Sequence, residues 1–191
     1  MSKLTISVIY GSVRPGRMGI RLAKYIQQQL ISRGHDSHLI DPLETPVPLF
    51  TGRHSWMKPG ENPILDKLAD TLRRSDAFVI VSAEYNHTIP PALTNLMDYF
   101  FDEYKYKPSA IATYSMGSFG GVRAAMALRP FLGELGTVSI PTLFPVPTIQ
   151  DAFTPEGHPV DKVYHERFDR FCKELEWYAH SLKASREAGV P

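Results

Sequence analysis

The sequence predicts an α/β protein, a parallel five-stranded sheet with helices on both faces. Apolar, β-branched runs recur five times, at 4–10, 37–41, 77–82, 110–115 and 136–140. Stretches with helical periodicity separate them, and parallel neighbours need right-handed helical crossovers that cover the sheet on both sides. At 191 residues the chain is the size of one domain, assigned here to 1–184 with a C-terminal tail at 185–191.

In the first helix Ile20, Ala23, Ile26, Leu30 and Ile31 share one face, Lys24, Gln28 and Arg33 lie opposite, and Gly34 supplies the stop. His35 and His38 flank the second strand and read as edge residues. The second helix, 62–75, opens on Asn62-Pro63 as cap and first-turn proline and buries Ile64, Leu65, Leu68 and Leu72. "AFVIVS" is apolar throughout, which predicts a central strand. A third helix follows Pro90-Pro91, with an apolar face of Ile89, Leu93, Leu96, Met97, Phe100, Phe101 and Tyr104 that is wide for one sheet face. The fourth spans 120–132 and the last 160–184. Segments 42–61 and 141–158 lack periodicity, and Phe50, Trp56, Phe144 and Phe153 within them suggest ordered loops covering a site or a partner subunit.

A formal net charge of +1 gives no global field to attract nucleic acid or an anionic membrane, so any anion site is local. The single cysteine, Cys172, has no internal disulfide partner and no Cys/His spacing of a metal site, which points to a reducing, cytoplasmic compartment and no metal. Neither a cleavable leader nor an apolar run of about 20 residues is present, so no membrane attachment is expected.

Open parallel sheets bind ligands beyond the carboxyl ends of their strands, which directs attention to three loops. After the first strand, Gly11-Ser12-Val13-Arg14-Pro15-Gly16-Arg17-Met18-Gly19 places glycines, a hydroxyl and two guanidinium groups at a helix start, where free amides favour an anion. Arg17-Met18 stands where a P-loop needs lysine and a hydroxyl, and Val13 takes the second glycine of a dinucleotide fingerprint, so a monophosphate fits best. After the third strand, Glu84, Tyr85, Asn86 and His87 combine an aromatic face with polar edges suited to a planar heterocycle. After the fourth, Ser115, Gly117, Ser118, Phe119, Gly120 and Gly121 make a mostly small-residue loop that backbone and ligand can approach closely.

With these motifs the sequence resembles the NAD(P)H-dependent FMN reductase family, which includes quinone, azo-dye and chromate reductases. The family's G-S-x-R-x-x-S is matched by Gly11, Ser12 and Arg14, with Arg17 for the last serine; its P-E-Y-N by Glu84, Tyr85 and Asn86, with Ala83 for proline; and its S-x-G-x-x-G-G in full. Its L-K-N-x-x-D appears as Leu93 to Asp98 without the lysine. The resemblance implies a flavodoxin-like three-layer sandwich with strand order 2-1-3-4-5. It also implies FMN held by the three loops, Met18 and Gly19 included, NADPH or NADH as co-substrate, a small-molecule electron acceptor, and a homodimer or homotetramer. It leaves the redox chemistry to the flavin. No catalytic side chain is required, His87 being a candidate proton donor to the acceptor. Arg17 and Arg53 are candidate partners for a 2′-phosphate. Two rivals stand beside this reading: a flavodoxin-type electron carrier, and a serine hydrolase built on Ser115, which lacks the glycine of a nucleophile elbow at Thr113.

Overall fold

Seven consecutive small or apolar residues make β3 (Ala77–Ala83) the middle of the sheet, and all seven are buried. In the computed structural model, which describes residues 2–191, β3 pairs in parallel with β1 (Thr5–Tyr10) and β4 (Pro108–Tyr114). β2 (Asp36–Ile40) and β5 (Val138–Val146) close the edges, giving the order β2-β1-β3-β4-β5. Alternate residues of each strand point to opposite faces. Ile6, Val8, Val79 and Val81 pack under α1 (Gly19–Ser32) and α6 (Val163–Ala188). Ile9, Phe78, Ile80 and Ile111 pack under α2 (Pro63–Arg74), α3 (Pro91–Asp98) and α4 (Val122–Glu134). The chain steps outward from β1 to β2 and then back past β1 to β3, so the direction reversal lies between the carboxyl ends of β1 and β3.

The element order and the central position of β3 match the expectation. The fifth strand is longer than expected, because Val138–Val146 absorbs part of the aperiodic 141–158 segment. Pro141 and Pro145 obscure its pattern, and an edge strand tolerates them. The β4–β5 register also shifts between Ser109 and Ile111. Phe144 and Phe153 are core residues, each at most 1% exposed, so they cover neither a site nor a partner. α5 is a single turn, Ile149–Ala152, and α6 continues to Ala188, through most of the expected tail. Ile31 and Ile64 are exposed, while Ala23, Ile26, Leu30, Leu65, Leu68 and Leu72 are buried as expected and are joined by Leu22, Tyr25 and Ala69. The wide apolar face around α3 is largely core, with Leu93, Leu96, Met97, Phe100 and Tyr104 buried. The 42–61 segment folds onto that layer. Asn95 accepts from the Phe50 amide and donates to the Pro48 carbonyl, each at 2.8 Å, and His54 pairs with Asp66 at 2.8 Å.

His35 is not an edge residue but part of a buried ionic junction between α1, β2 and α6. Its Nδ1 accepts from the Leu4 amide at 3.3 Å and its Nε2 faces Glu176 at 2.9 Å. Arg33 clasps both Glu176 oxygens at 2.7 and 2.8 Å and reaches Asp169 at 2.9 Å. Burial pushes the Glu176 carboxyl up, but the hydrogen bonds from Arg33 and His35 outweigh it and bring the pKa down to about 2. The carboxylate therefore contributes stability that is complete above the ordinary glutamate value of about 4.3 and is lost as pH falls towards 2. Glu176→Ala should cost about 3 kcal/mol at pH 7, the low end for a broken buried pair because Arg33 stays a quarter exposed. Chemical denaturation across pH 7 to 2.5 should show the wild-type advantage shrinking below pH 4.5, and a constant difference across that range would refute the assignment.

Candidate functional site

Two arginines three residues apart in the first loop have opposite fates. Arg17 turns inward: its guanidinium pairs with both oxygens of Asp41, just beyond β2, donates to the Ser12 carbonyl at 2.8 Å and lies 5.1 Å from the centre of the Tyr10 ring. The paired side chains are only 12% and 6% exposed. Arg17 lines the cleft with its charge paired to Asp41, and its Nη1 atom is fully engaged by Ser12 and Asp41. Arg14 is exposed, pairs with no carboxylate among the described residues, and rests 5.2 Å from the centre of the Tyr85 ring.

Beside Arg14, the amides of Val13, Gly16 and Met18 find no acceptor among the described residues, and no side chain caps α1. The other long helices are provided for. Asn62 caps α2, Glu84 accepts from the Arg123 amide of α4 at 3.1 Å, Asp161 accepts from the Val163 amide of α6 at 2.9 Å, and α3 starts on a proline. An open helix start, a free guanidinium and the nearby Ser12 hydroxyl form the donor set of a phosphate monoester.

The second loop is a tight turn in which Tyr85 and Thr88 exchange backbone hydrogen bonds at 3.1 and 2.9 Å. Asn86 and His87 at its tip have φ of +50° and +63°, a conformation that side chains other than glycine adopt at a cost. Their side chains are exposed and do not line the cleft. Tyr85 projects back so that its hydroxyl meets Ser12 Oγ at 2.7 Å. The Glu84 carboxylate also pairs with the Arg123 guanidinium at 3.1 Å, so it fixes this loop to α4.

The floor is aromatic. Tyr10 and Tyr114, at the ends of β1 and β4, stack with their hydroxyls 3.1 Å apart. Burial pushes both phenols above their ordinary pKa, so they stay neutral. Gly19 is required by packing, since a Cβ there would lie 1.9 Å from the Tyr114 ring, and it does not itself line the cleft. In the third loop Ser115 donates its hydroxyl to the Gly117 carbonyl at 2.9 Å, and no histidine lines the cleft, which removes the hydrolase reading. Gly120 is tucked against the Val146 and Pro147 backbone, while Gly117, Ser118 and Phe119 stand exposed outside the cleft.

The resulting cleft has a volume of about 390 Å³. Of the expected residues, Ser12, Arg14, Arg17, Met18, Glu84, Tyr85 and Ser115 line it. Sequence reasoning missed Pro15, Gly16, Ala83, Tyr114, Met116 and Ile149 as lining residues. Ile149 carries no local signal, because it arrives through the unforeseen end of β5. A larger hollow of about 820 Å³ between the 42–61 segment, α2 and the turn after α3 lacks such an anion cradle, and its His54 is engaged by Asp66. Arg53 sits over Phe101 at 4.2 Å and does not line the cleft, so neither Arg17 nor Arg53 offers it a free cation.

Residues 4–151 match the family model described as NADPH-dependent FMN reductase. A quinone reductase of Escherichia coli is 29% identical over 134 residues, covering 68% of this chain and 70% of that protein. An NADPH azoreductase of a Bacillus species is 28% identical over 140 residues, covering 72% and 74%. Among solved structures, the flavoenzyme NAD(P)H:(acceptor) oxidoreductase FerB from Paracoccus denitrificans superposes with a TM-score of 0.73 at 25% identity, over 92% of this chain and 98% of that one. With the strand order, the three loops and the open α1 start all in place, this chain belongs to the NADPH-dependent FMN reductase family.

Proposed function

We propose that the protein is an FMN-dependent NAD(P)H oxidoreductase that serves its nicotinamide donor and its electron acceptor in turn at one cleft. The observation that carries this reading is the unsatisfied start of α1 with Arg14 beside it, at the point where the strand order reverses. Bound FMN supplies the gain and release of hydride. The chain supplies the rest. Arg14 and the Val13, Gly16 and Met18 amides hold the phosphate; Ser12 and Tyr85 link the first loop to the second; and the backbone of the Glu84–His87 turn lends donors to the polar edge of a flat ring. Tyr114 and Met116 give the cleft its apolar surface.

A quinone, free flavin or azo compound is the acceptor class, since a site that must first admit a nicotinamide has room for other flat molecules afterwards. A net charge of only +1 favours this over a flavodoxin-type carrier, which docks basic partners through a strongly acidic surface. Leu49 and Trp56, 82% and 73% exposed on a segment pinned by Asn95 and Tyr99, support a homodimer or homotetramer. A cytoplasmic setting fits the free, buried Cys172. Among the described residues no helix is long and apolar enough to cross a membrane.

Purified protein should be yellow or take up added FMN, and anaerobic NADPH should bleach it. Arg14→Ala should leave the melting temperature nearly unchanged and weaken FMN binding by about ten- to a hundredfold, the cost of one or two charge-assisted hydrogen bonds, read by flavin fluorescence titration. Arg17→Met should do the reverse first, lowering stability by about 3 kcal/mol because Asp41 is left buried without its partner. Undiminished FMN affinity in Arg14→Ala would overturn the site assignment. Initial rates varied in NADPH and quinone should give parallel double-reciprocal lines, whereas intersecting lines would exclude the in-turn scheme.

A further inference from the structure

The third loop is held from behind by the turn that follows β5, Thr148 and α5 (Ile149–Ala152). The Ile149 amide donates to the Ser115 carbonyl and the Thr148 amide to the Gly117 carbonyl, each at 3.1 Å. Between them the Met116 carbonyl is held by a side chain, Gln150, whose Nε2 donates to it at 3.3 Å. Resting on the reading of the cleft as an FMN site, we infer that Gln150 is a positioning residue for the flavin. It sets the Met116 peptide so that the Met116 and Gly117 amides serve the polar edge of the ring, beside the donors of the Glu84–His87 turn.

A peptide unit is planar and trans, so its N–H points opposite to its carbonyl. With the Ser115 and Met116 carbonyls turned towards α5, the amides of Met116 and Gly117 are turned away from it. Neither amide has an acceptor among the described residues. Both belong to the stretch of loop in which Ser115 and Met116 line the cleft, with Ile149 of the turn lining it as well. Successive free N–H groups held in a fixed direction stabilise negative charge that develops next to them.

Residue identity controls only one of these grips. A backbone amide, which any residue but proline supplies, reaches the Ser115 and Gly117 carbonyls, whereas Gln150 alone holds that of Met116. The turn bears two local costs to make the contacts. Thr148 stands at φ +40° and ψ +54°, the left-handed region that a branched residue enters against steric resistance. Gln150 Oε1 is buried with no partner among the described residues, and turning the amide over would set that oxygen against the Met116 carbonyl. An apolar side chain of the same length would avoid the unsatisfied oxygen and lose the donor. Arg21 of α1 steadies the turn from its other side, Nη1 donating to the Gln150 and Phe153 carbonyls at 3.2 and 3.0 Å. The helix whose start faces the phosphate and the loop beside the ring are thus tied through one turn of chain.

The test compares Gln150→Met, which removes both the donor and the unsatisfied oxygen, with Arg14→Ala. The full chain, freed of flavin, is titrated with FMN and with riboflavin by fluorescence. Gln150→Met should keep or raise the melting temperature yet weaken FMN and riboflavin alike by about tenfold, the loss of one well-placed donor, whereas Arg14→Ala should weaken FMN alone. In FMN-loaded Gln150→Met the reduced ring should lose more than the oxidised one, and a tenfold difference lowers the two-electron midpoint potential by about 30 mV. Gln150→Glu, which sets an oxygen against the Met116 carbonyl, should move affinity and potential the same way and further. FMN binding that Arg14→Ala weakens but Gln150→Met leaves unchanged, in affinity and potential alike, overturns the role of Gln150 and leaves the cofactor site standing. A loss in Gln150→Met confined to FMN, or a fall in melting temperature with an unchanged potential, overturns that role as well. A wild-type chain that binds neither flavin overturns both.

Discussion

The buried ion pair between Arg17 and Asp41 sets the shape of everything at the cofactor rim. It joins the loop after β1 to the residue just beyond β2, and the same guanidinium grips the Ser12 carbonyl and covers Tyr10. A flexible, glycine-containing loop thereby becomes a fixed one. The order comes from a contact facing away from the ligand, which leaves Arg14 and the α1 amides uncommitted. Preorganised donors act at full strength because they need no rearrangement when the anion arrives.

The aromatic floor extends this logic across the sheet. Tyr10 and Tyr114 sit two strands apart on the same face and bridge over β3 through their hydroxyls, so the first and third loops rise from one rigid platform. Gly19 lets α1 settle directly on Tyr114, and Tyr85 returns from the second loop to Ser12. A chain of aromatic and hydroxyl contacts thus links all three loops. The strained tip at Asn86 and His87 is held between this chain and the Glu84–Arg123 pair, two anchors that can offset a cost of about 1–3 kcal/mol per strained residue.

Much of this was legible in the sequence, for identifiable reasons. The alternation of strands and helices, the central place of β3 and the loop positions follow from hydrophobic period and the handedness of crossovers, while the strand order comes from the family resemblance; Ser12, Arg14 and Tyr85 stand out because their residue types are unusual at strand ends. What stayed hidden depends on partners distant in the chain. Nothing near residue 17 announces Asp41, nothing near 84 announces Arg123, and His35 reads as an edge residue until Glu176 arrives from 141 positions away. Similarly, nothing near residue 19 announces Tyr114, whose ring leaves no room for a Cβ there. The fifth strand failed differently: its prolines are forbidden in a central strand but tolerated at an edge, and only topology distinguishes the two.

Strand direction connects the two ends of the molecule. In a parallel α/β sheet the crossover helices run opposite to the strands, so their N-termini gather at the carboxyl rim and their C-termini at the other. The carboxyl rim therefore accumulates unsatisfied amides, and here every long helix except α1 has that deficit met by a side chain or a proline. The opposite rim accumulates carbonyls; Lys107 meets those of Leu72 and Arg73 on the last turn of α2, and Arg186 of α6 donates to the Tyr106 carbonyl just before β4. A chain with a net charge of only +1 can thus carry a strong local field at the cofactor rim. The two rims differ. At the cofactor rim the positive potential is what remains when one helix is left uncapped, and at the other side-chain cations are matched by the carbonyls and carboxylates they serve. The first is built largely of backbone and changes little with pH, whereas the second includes a buried amine that titrates near neutrality.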